Sequence, residues 1–541
     1  MVLVLLALAL PPERVGRWLA RSGSDLVGSI TAGMWIFRIM LLVHAGWWAA
    51  AVRWPRIPGT GSLLSLPADR EGERGGWRLI GSIMLLALVV RLIDLGDGLW
   101  YDEIQTAVRY AHLALPRLMA TFDSQNQHML YSILVRVSVG ILGDHPWAMR
   151  LPAVLLGVAS IWATYVFALR VTGRREALLA AGFLALSYHH VWFSQNARGY
   201  TGLLLWTLLS TGAFLDLLTN RTPGRWRPIV VYAVVMAAGV YTQVTAAFVT
   251  GAHLLVWTWL AWRRPEARGY ARWAPGVAIA LAITLTLQVL APALPQFFTT
   301  LLTPTMGGVA TQWKNPMWFV VEMLTGLADG VPGGLVGVAG GGVVLTAGTI
   351  SYLRRTPVVG VLMLLPGLLL AGALAVLEHN LWPRLFLFSA GFAALLLMRG
   401  LSVTAGRWSR HGAQVTTVVG MALILGSGWS VRHAWNPKQD YVGARDFVAA
   451  RAQANDAVVT VDMTELPFVA YLGEDWPPVL DVNELAQVEA AHDRTWILVT
   501  FPTRLSAVHP QLWDRLQREY REVGSFPGTV AGGAVLVMRK G

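Results

Sequence analysis

The feature that most constrains this chain is a series of apolar segments, each close to the 20 residues that an α-helix needs to cross a bilayer. Eleven such segments are predicted, at residues 77–95, 147–170, 176–193, 200–218, 228–241, 244–262, 273–290, 331–353, 357–377, 385–401 and 415–431. Because the chain is 55% hydrophobic and only 14% charged, a soluble core is excluded and a polytopic membrane protein is predicted.

The net charge of +12 is not evenly distributed along the chain. From Arg432 to the end there are 11 basic and 14 acidic residues, which leaves 32 basic and 17 acidic residues before it. A basic excess in short loops between apolar segments orients a protein in the bilayer, so the bilayer, and not nucleic acid, is the expected partner. The absence of cysteine excludes a disulfide framework and thiolate metal sites.

Arginine distribution predicts the topology. When loops are assigned to alternate sides, one side receives most of the arginines and is predicted to be cytoplasmic. These residues are Arg170, Arg174, Arg175, Arg221, Arg225, Arg227, Arg263, Arg264, Arg268, Arg272, Arg354, Arg355, Arg399, Arg407 and Arg410. The alternation requires that the apolar helix at 128–142 does not cross, but lies in the interface or re-enters within an external loop, 96–146. An ordinary span there would invert every later loop.

Three regions are predicted. Residues 1–76 form an N-terminal extension, in which 28–52 is either an additional span or an interfacial segment. Residues 77–431 form the transmembrane domain. Residues 432–541 have ordinary charge density and predict a small external α/β domain. Its predicted strands are 457–461, 496–500 and 534–538, and its predicted helices are 442–454 and 510–519.

Two adjacent carboxylates, Asp102 and Glu103, follow the first predicted span at the water boundary. Consecutive side chains on a helix point about 100° apart, so one of them would face a reaction and the other would support it. A carboxylate at a bilayer surface can have a raised pKa and act as a general base. The alternative is an ordinary helix start, with Asp102 as N-cap and Gln105 completing a capping box.

Other polar side chains are predicted on the same side of the membrane. They are His128, Tyr131, Arg150, Gln195, Arg198, Tyr200, Tyr241, Gln243 and Arg384. Arginines at membrane depth on the external side are costly without an anionic partner, and a lipid-linked phosphate suits the bidentate guanidinium. The alternative for each arginine is snorkelling or a structural ion pair.

The order of these motifs resembles the GT-C superfamily of membrane glycosyltransferases, of the protein O-mannosyltransferase and aminoarabinose transferase type. The resemblance lies in the Asp102-Glu103 pair and in residues 128–131, 150–153, 173–175, 194–200 and 383–384. Two departures are present: Met129 and Leu130 replace the prolines that often follow the histidine, and Gln243 stands where relatives often have histidine.

The resemblance implies a mainly helical GT-C transmembrane bundle with a small extracytoplasmic α/β domain. It also implies an inverting transferase in the cytoplasmic membrane, which moves a sugar at the outer face from a polyprenyl-phosphate donor to a protein, lipid or glycan acceptor. The implied site has Asp102 as general base with Glu103 beside it, donor phosphate-binding Arg198, Arg384, His128, Tyr131 and Gln195, and candidate substrate-binding Tyr101, Arg150, Tyr200, Tyr241 and Gln243. We expect no cofactor, with a divalent cation as the alternative.

Two other functions are compatible with the sequence. A polysaccharide polymerase or ligase would use the same external arginines on a pyrophosphate-linked donor, whose additional charge favours a metal ion. A lipid or glycan transporter would be expected to show repeated halves and interrupted helices with ionisable groups at mid-membrane. The polar residues of this chain cluster instead at the ends of the apolar segments.

Overall fold

The computed structural model describes residues 1–20, 26–53, 62–66, 76–219, 226–266, 269–302, 311–331 and 333–540. It confirms the predicted fold class, a mainly helical membrane bundle followed by a small α/β domain. The predicted cytoplasmic Arg221, Arg225 and Arg268 lie outside the described residues.

The described part of residues 1–431 contains twenty helices in chain order. They are α1 (Val2–Ala9), α2 (Pro12–Leu19), α3 (Val27–Arg53), α4 (Trp77–Leu92), α5 (Tyr101–Arg109), α6 (Leu115–Met119), α7 (Met129–Leu142), α8 (Pro146–Val171), α9 (Arg174–Ala185), α10 (Tyr188–Ser194), α11 (Tyr200–Leu218), α12 (Arg227–Thr242), α13 (Ala246–Arg263), α14 (Tyr270–Leu290), α15 (Leu294–Leu302), α16 (Pro316–Gly330), α17 (Gly334–Arg355), α18 (Pro357–Val376), α19 (Ala390–Trp408) and α20 (Gly412–Ser430). Short 3₁₀ turns extend some of them, such as Pro383–Ser389 before α19.

Among the described residues, eight helical segments are long and apolar enough to cross a membrane. They are Val27–Ala51, Pro146–Val171, Tyr200–Leu218, Tyr270–Thr300, Gly334–Arg355, Pro357–Val376, Pro383–Trp408 and Gly412–Trp435. Seven of them coincide with predicted spans, and the eighth is the N-terminal segment whose role the sequence left open. The predicted spans at 77–95, 228–241 and 244–262 form α4, α12 and α13, which are shorter or less apolar.

The predicted span at 176–193 is broken. Helices α9 and α10 meet at an angle of 59°, and the side chain of Arg91 from α4 reaches the break. Its Nη1 donates to the carbonyl oxygen of Ala185 at 2.9 Å, and its Nε donates to Ser194 Oγ at 3.0 Å. A guanidinium therefore satisfies a carbonyl that the end of α9 would otherwise leave unpaired.

Helix α7 has 14 residues, which correspond to about 21 Å and fall short of a hydrocarbon core about 30 Å thick. Its length agrees with the prediction that this segment does not cross. Helix α3 runs antiparallel to α14, because Gln288 Nε2 donates to Phe37 O at 3.3 Å and His44 Nε2 lies 3.2 Å from Thr284 Oγ1. The N-terminal end of α3 therefore lies at the same end of the bundle as the loop 96–146.

The C-terminal domain contains a five-stranded mixed sheet of order β2-β1-β3-β5-β4. Its elements are α21 (Tyr441–Ala449), β1 (Asp456–Val461), β2 (Pro478–Val479), α22 (Val482–Ala491), β3 (Arg494–Val499), α23 (Pro502–Val508), α24 (Pro510–Glu519), β4 (Arg521–Phe526) and β5 (Val535–Lys540). Strand β1 pairs in parallel with β2 and β3, whereas β5 is antiparallel to β3 and β4. The three predicted strands correspond to β1, β3 and β5, whereas β2, β4, α22 and α23 were not predicted.

Alternation along β3 packs this domain on two sides. Ile497 and Val499 face the helices α22–α24, whereas Trp496 and Leu498 belong to an apolar cluster that also contains Ile104 of α5. The loop that carries the two carboxylates and the α/β domain therefore share one core. The domain therefore packs against that loop, in addition to its covalent link to α20.

Candidate active site

Helix α5 begins one residue before the carboxylate pair. Trp100 is its N-cap, Asp102 and Glu103 lie in its first turn, and Glu103 Oε2 accepts from the backbone N–H of Trp100 at 3.3 Å. The alternative prediction of Asp102 as N-cap with Gln105 is therefore wrong, because the glutamate at the third helical position makes the capping contact. Asp102 is left free for another role.

Glu103 and Arg150 form what we call the closed pair. Glu103 is 0% exposed, and Arg150 donates to it from Nε at 2.8 Å and from Nη2 at 2.6 Å. Glu103 Oε1 also accepts from the backbone N–H of Ala197 at 2.6 Å. The remaining guanidinium donors of Arg150 reach three carbonyl oxygens of the loop before α5, those of Leu95, Asp97 and Gly98.

All five N–H donors of Arg150 are thus used within the protein. The substrate-binding role predicted for Arg150 is not supported by this geometry, because no donor is left for a ligand. Although burial alone would raise it, the adjacent Arg150 guanidinium holds the pKa of Glu103 below its ordinary value. The prediction of a raised carboxylate pKa is therefore wrong for Glu103, which stays ionised and fixes the loop.

Asp102 points to a different neighbour, Arg384. The residue is 7% exposed, and its Oδ2 lies 3.4 Å from Nη1 of Arg384 without the geometry of a hydrogen bond. The guanidinium of Arg384 stacks 4.9 Å from the ring centroid of Trp382, and its side chain is 29% exposed. The structure therefore brings together a carboxylate from the first loop and a cation from a segment 282 positions later in the chain.

Arg198 is the most unusual charge in this region. It is 2% exposed, its Nη2 donates to Asn126 Oδ1, and its Nε has no hydrogen-bond partner. No carboxylate lies within 4 Å of it among the described residues. Nη2 also lies 3.2 Å from Nε2 of His128. We call Asp102, Asn126, His128, Arg198 and Arg384 the open cluster.

The protonation of His128 follows from its hydrogen bonds. Nδ1 accepts from the backbone N–H of Gly199 at 2.8 Å, so the neutral ring carries its proton on Nε2. Burial and the charges of Arg198 and Arg384 hold the pKa of His128 well below its ordinary value. Nε2–H and the Arg198 guanidinium are then two donors that face each other, an arrangement that favours an anionic acceptor between them.

Tyr131 and Gln195 are engaged elsewhere. The hydroxyl of Tyr131 donates to the carbonyl oxygen of Met149 at 2.7 Å, and Gln195 Nε2 donates to the carbonyl oxygen of Ile93 at 2.6 Å. Both side chains are buried and fix backbone segments around the loop. The phosphate-binding role predicted for them is not supported by these contacts.

The predicted aromatic and amide residues lie around the open cluster. The ring of Tyr200 is 5.0 Å from that of His128 in an edge-on contact, and Tyr241 and Gln243 flank Thr242 at the end of α12. Tyr101 differs, because its backbone N–H donates to Gln439 Oε1 at 3.0 Å, at the junction with the C-terminal domain. Burial raises the pKa of Tyr101.

Part of the chain matches a known protein family, and its fold matches solved structures. Residues 127–290 match the family model described as dolichyl-phosphate-mannose-protein mannosyltransferase. ArnT from Cupriavidus metallidurans, solved with undecaprenyl phosphate bound, superimposes with a TM-score of 0.50 at 13% identity, over 86% of this chain and 98% of that one. The fold is of the GT-C type. The resemblance inferred from the sequence is thereby confirmed at the level of fold.

Two further GT-C structures are similar. The Archaeoglobus fulgidus oligosaccharyltransferase, tethered to an acceptor peptide, has a TM-score of 0.48 at 11% identity, over 86% of this chain and 74% of that one. The Mycobacterium smegmatis arabinosyltransferase EmbB has a TM-score of 0.41 at 13% identity, over 74% and 43% of the two chains. No curated protein matches the sequence.

The part of this chain that matches the family model contains His128 and Arg198 but neither Asp102 nor Arg384. Sequence analysis missed Asn126, Gln127 and Gln439. Asn126 and Gln127 directly precede His128, which was the available signal, whereas nothing in the sequence connects Gln439 to the first loop. Among the described residues, no three metal-ligating side chains lie together, so the expectation about metal stays a prediction.

Proposed function

We propose that this chain is a glycosyltransferase that moves a sugar from a polyprenyl-phosphate carrier to an acceptor at the outer face of the cytoplasmic membrane, with inversion at the anomeric carbon. The observation that carries the proposal is the buried guanidinium of Arg198, which faces His128 and no carboxylate among the described residues. A buried cation of this kind is stabilised by an anionic ligand. A lipid-linked monophosphate supplies that charge at the membrane surface.

We assign the roles of the site residues as follows. Arg198, Arg384 and the Nε2–H of His128 hold the phosphate oxygens as donors. The oxygen of the acceptor hydroxyl forms a bond to the anomeric carbon, the bond from that carbon to the phosphate oxygen breaks, and polyprenyl phosphate leaves with the bonding electrons. Asp102 receives the hydroxyl proton. Negative charge that develops on the leaving phosphate is stabilised by guanidinium groups that are already in position.

The closed pair supports this chemistry indirectly. Glu103 accepts from Ala197, the residue before Arg198, and also from Trp100, the N-cap of the helix that carries Asp102. Glu103 therefore holds both the helix that carries Asp102 and the segment that carries Arg198. Positioning of this kind reduces the entropy that must be lost before reaction. We therefore assign Glu103 as a positioning residue and not as a second base.

The carrier and the side of the membrane are parts of the same proposal. The match to an ArnT structure that contains undecaprenyl phosphate supports a polyprenyl monophosphate. The basic loops at the opposite end of the bundle support an external site. We further propose that the arginines replace a metal ion, so that transfer continues in the presence of a chelator. Dependence on a divalent cation together with preference for a pyrophosphate carrier would favour the polymerase alternative.

The test measures binding of the carrier separately from transfer. Undecaprenyl phosphate is titrated into nanodiscs that contain the wild-type chain, Arg198→Met or the matched Arg91→Met, which also removes a buried guanidinium but at the α9–α10 break. We expect Arg198→Met to weaken binding about 100-fold at an unchanged melting temperature, and Arg91→Met to lower the melting temperature instead. Equal carrier affinity in wild type and Arg198→Met would overturn the proposal.

A further inference from the structure

Three buried side chains on the segments around Arg198 carry polar atoms that the proposed phosphate site does not use. They are Gln127, Tyr241 and Gln243, which are 5%, 7% and 8% exposed. Both amide atoms of Gln127, the hydroxyl of Tyr241 and Oε1 of Gln243 have no hydrogen-bond partner in the part of the chain that the structure describes. Buried polar atoms without partners are uncommon in folded proteins, and here they occur on two segments that meet beside Gly199.

The three side chains come from segments that converge on the open cluster. Gln127 lies between Asn126 and His128, both of which contact Nη2 of Arg198. Tyr241 and Gln243 lie on either side of Thr242. A methyl group at Gly199 would come within 2.6 Å of Thr242 Cγ2 and 2.9 Å of His128 Nδ1. Gly199 therefore lets the segments around 128 and 242 approach each other next to Arg198.

Their chemistry is that of a hydroxyl-binding site. A glutamine amide both donates and accepts hydrogen bonds, and so does a phenol, which matches ring hydroxyls that each do the same. Packing holds Tyr241 in place, because its ring shares an apolar cluster with Phe122 and Met129. A phosphate would use only the donors of this set and would leave the amide oxygens unpaired.

The set is also uncharged, and this limits the kind of sugar. A sugar ammonium group is best held by a carboxylate. The nearby carboxylates have other contacts: Asp102 lies 3.4 Å from Arg384, and Asp123 accepts from the hydroxyl of Tyr110 at 2.6 Å. Arg198 and Arg384 would repel an ammonium group.

We propose that Gln127, Tyr241 and Gln243 form a subsite that binds the ring hydroxyls of an uncharged sugar on the donor. This inference rests on the proposed function and names its substrate class, a neutral pentose or hexose in place of an amino sugar. Gln127 is then a specificity-determining residue next to the proposed phosphate-binding His128.

The test compares two affinities for each variant, so that sugar recognition is separated from phosphate binding. The probes are undecaprenyl phosphate, undecaprenyl-phosphate carriers of several neutral pentoses and hexoses, and one carrying 4-amino-4-deoxyarabinose. We expect wild type to bind its preferred neutral-sugar carrier at least tenfold more tightly than the bare carrier. In Gln127→Leu and Tyr241→Phe this ratio falls about tenfold, roughly one hydrogen bond each, with affinity for the bare carrier unchanged.

Two further variants sharpen the result. Gln127→Glu introduces a carboxylate and is expected to raise the affinity for the amino-sugar carrier relative to the neutral ones. Gln125→Leu is the matched control, since Gln125 Nε2 donates to the carbonyl oxygen of Thr300, away from the cluster. Its affinity ratio should equal that of wild type. Gln127→Leu should not lower the melting temperature, because it removes an amide without partners among the described residues.

Three outcomes would overturn the inference. They are a wild type that prefers the amino-sugar carrier, an unchanged ratio in both Gln127→Leu and Tyr241→Phe, and an equal loss in Gln125→Leu. These differ from failure of the proposed function, in which the wild type would bind neither the bare carrier nor any sugar-bearing carrier.

Discussion

The closed pair and the open cluster are built from neighbouring residues but differ in how far their polar groups are satisfied. In the closed pair, every donor of Arg150 and both oxygens of Glu103 have partners. In the open cluster, Arg198 Nε and Asp102 Oδ2 lack hydrogen bonds among the described residues. Both regions are buried and both contain a carboxylate and arginine. Burial and charge alone therefore do not distinguish a scaffold from a binding site.

This difference in hydrogen bonding indicates which charged residues around the loop are suited to bind a ligand. A fully hydrogen-bonded ion pair gains little from a ligand, whereas a buried cation that lacks an anion gains a large interaction when one binds. Asp102 and Glu103 are adjacent in sequence, but the first turn of α5 directs them to different partners, Arg384 and Arg150. The comparison therefore predicts that equivalent substitutions at the two positions have different effects.

The largest expected effect is on activity, at Asp102. Asp102→Asn keeps the size and polarity of the side chain but removes the proton acceptor, so we expect transfer to fall about 1000-fold with little change in melting temperature. Binding of undecaprenyl phosphate should persist. The measurement is single-turnover transfer by the purified variant in nanodiscs. Near-normal turnover would exclude Asp102 as general base. The proposed difference in role between Asp102 and Glu103 would then be lost.

The next effect is on stability, at Glu103. Glu103→Gln leaves the two Arg150 donors that contact Glu103 facing a neutral amide in a buried site, and we expect unfolding to become easier by about 3 kcal/mol. The melting temperature in detergent measures this loss, with Asp102→Asn as the matched carboxylate-to-amide control. If Glu103→Gln melts like wild type but has lost transfer, Glu103 belongs to the chemistry and the closed pair is not a scaffold.

How much of this was predictable differs between the two regions. The apolar segments predicted seven of the crossing helices, since a bilayer demands a length and composition that a sequence displays directly. Asp102, His128, Arg198 and Arg384 were predicted to share a site, and the structure brings them together. Charged and aromatic residues at the ends of apolar segments are conspicuous, so the cations of the open cluster could be found without coordinates.

The partners of each side chain were not predictable. Arg150 and Arg198 are both arginines near helix starts that the sequence predicts to be external, yet one has all five donors used and the other does not. That distinction depends on three carbonyl oxygens of residues 95–98, whose direction is set by tertiary packing. Gln439 was also missed, because its contact with Tyr101 joins residues more than 300 positions apart.

A smaller effect is expected at Gln439, which links the α/β domain to α5. The residue is 1% exposed, its Oε1 accepts from Tyr101 N–H, and its Nε2 donates to Thr500 Oγ1 at 3.1 Å and Gly533 O at 2.9 Å. Gln439→Leu leaves the N–H next to Asp102 unpaired, so we expect kcat to fall about tenfold at an unchanged KM for the donor.

Gln439→Glu retains the acceptor for Tyr101 N–H and loses the donors to the domain, so it should restore most of kcat if orientation of α5 is what matters. The two variants are compared by steady-state transfer in nanodiscs. A change in donor KM with constant kcat would show that Gln439 affects substrate binding and does not position the base.

The smallest effect is a pH dependence beside the closed pair, at Lys438. The residue is 4% exposed and its Nζ lies 5.2 Å from the ring centroid of Trp192. Burial and the charge of Arg150 lower the pKa of Lys438 to about 7, although Glu103 and Asp97 act in the opposite direction. Between pH 7 and the ordinary lysine pKa, the unfolded chain binds more protons than the folded one, so stability rises with pH across this window.

We expect the melting temperature of wild type to rise by about 2–4 °C more than that of Lys438→Met between pH 7 and pH 9. Below pH 7 the folded chain carries the buried charge, so Lys438→Met should there be the more stable protein. Equal pH profiles for the two would mean that Lys438 is fully compensated by Asp97 and Glu103. The charge of Lys438 would then belong to the same network as Arg150 and Glu103. That network would be larger than the hydrogen bonds of Arg150 indicate.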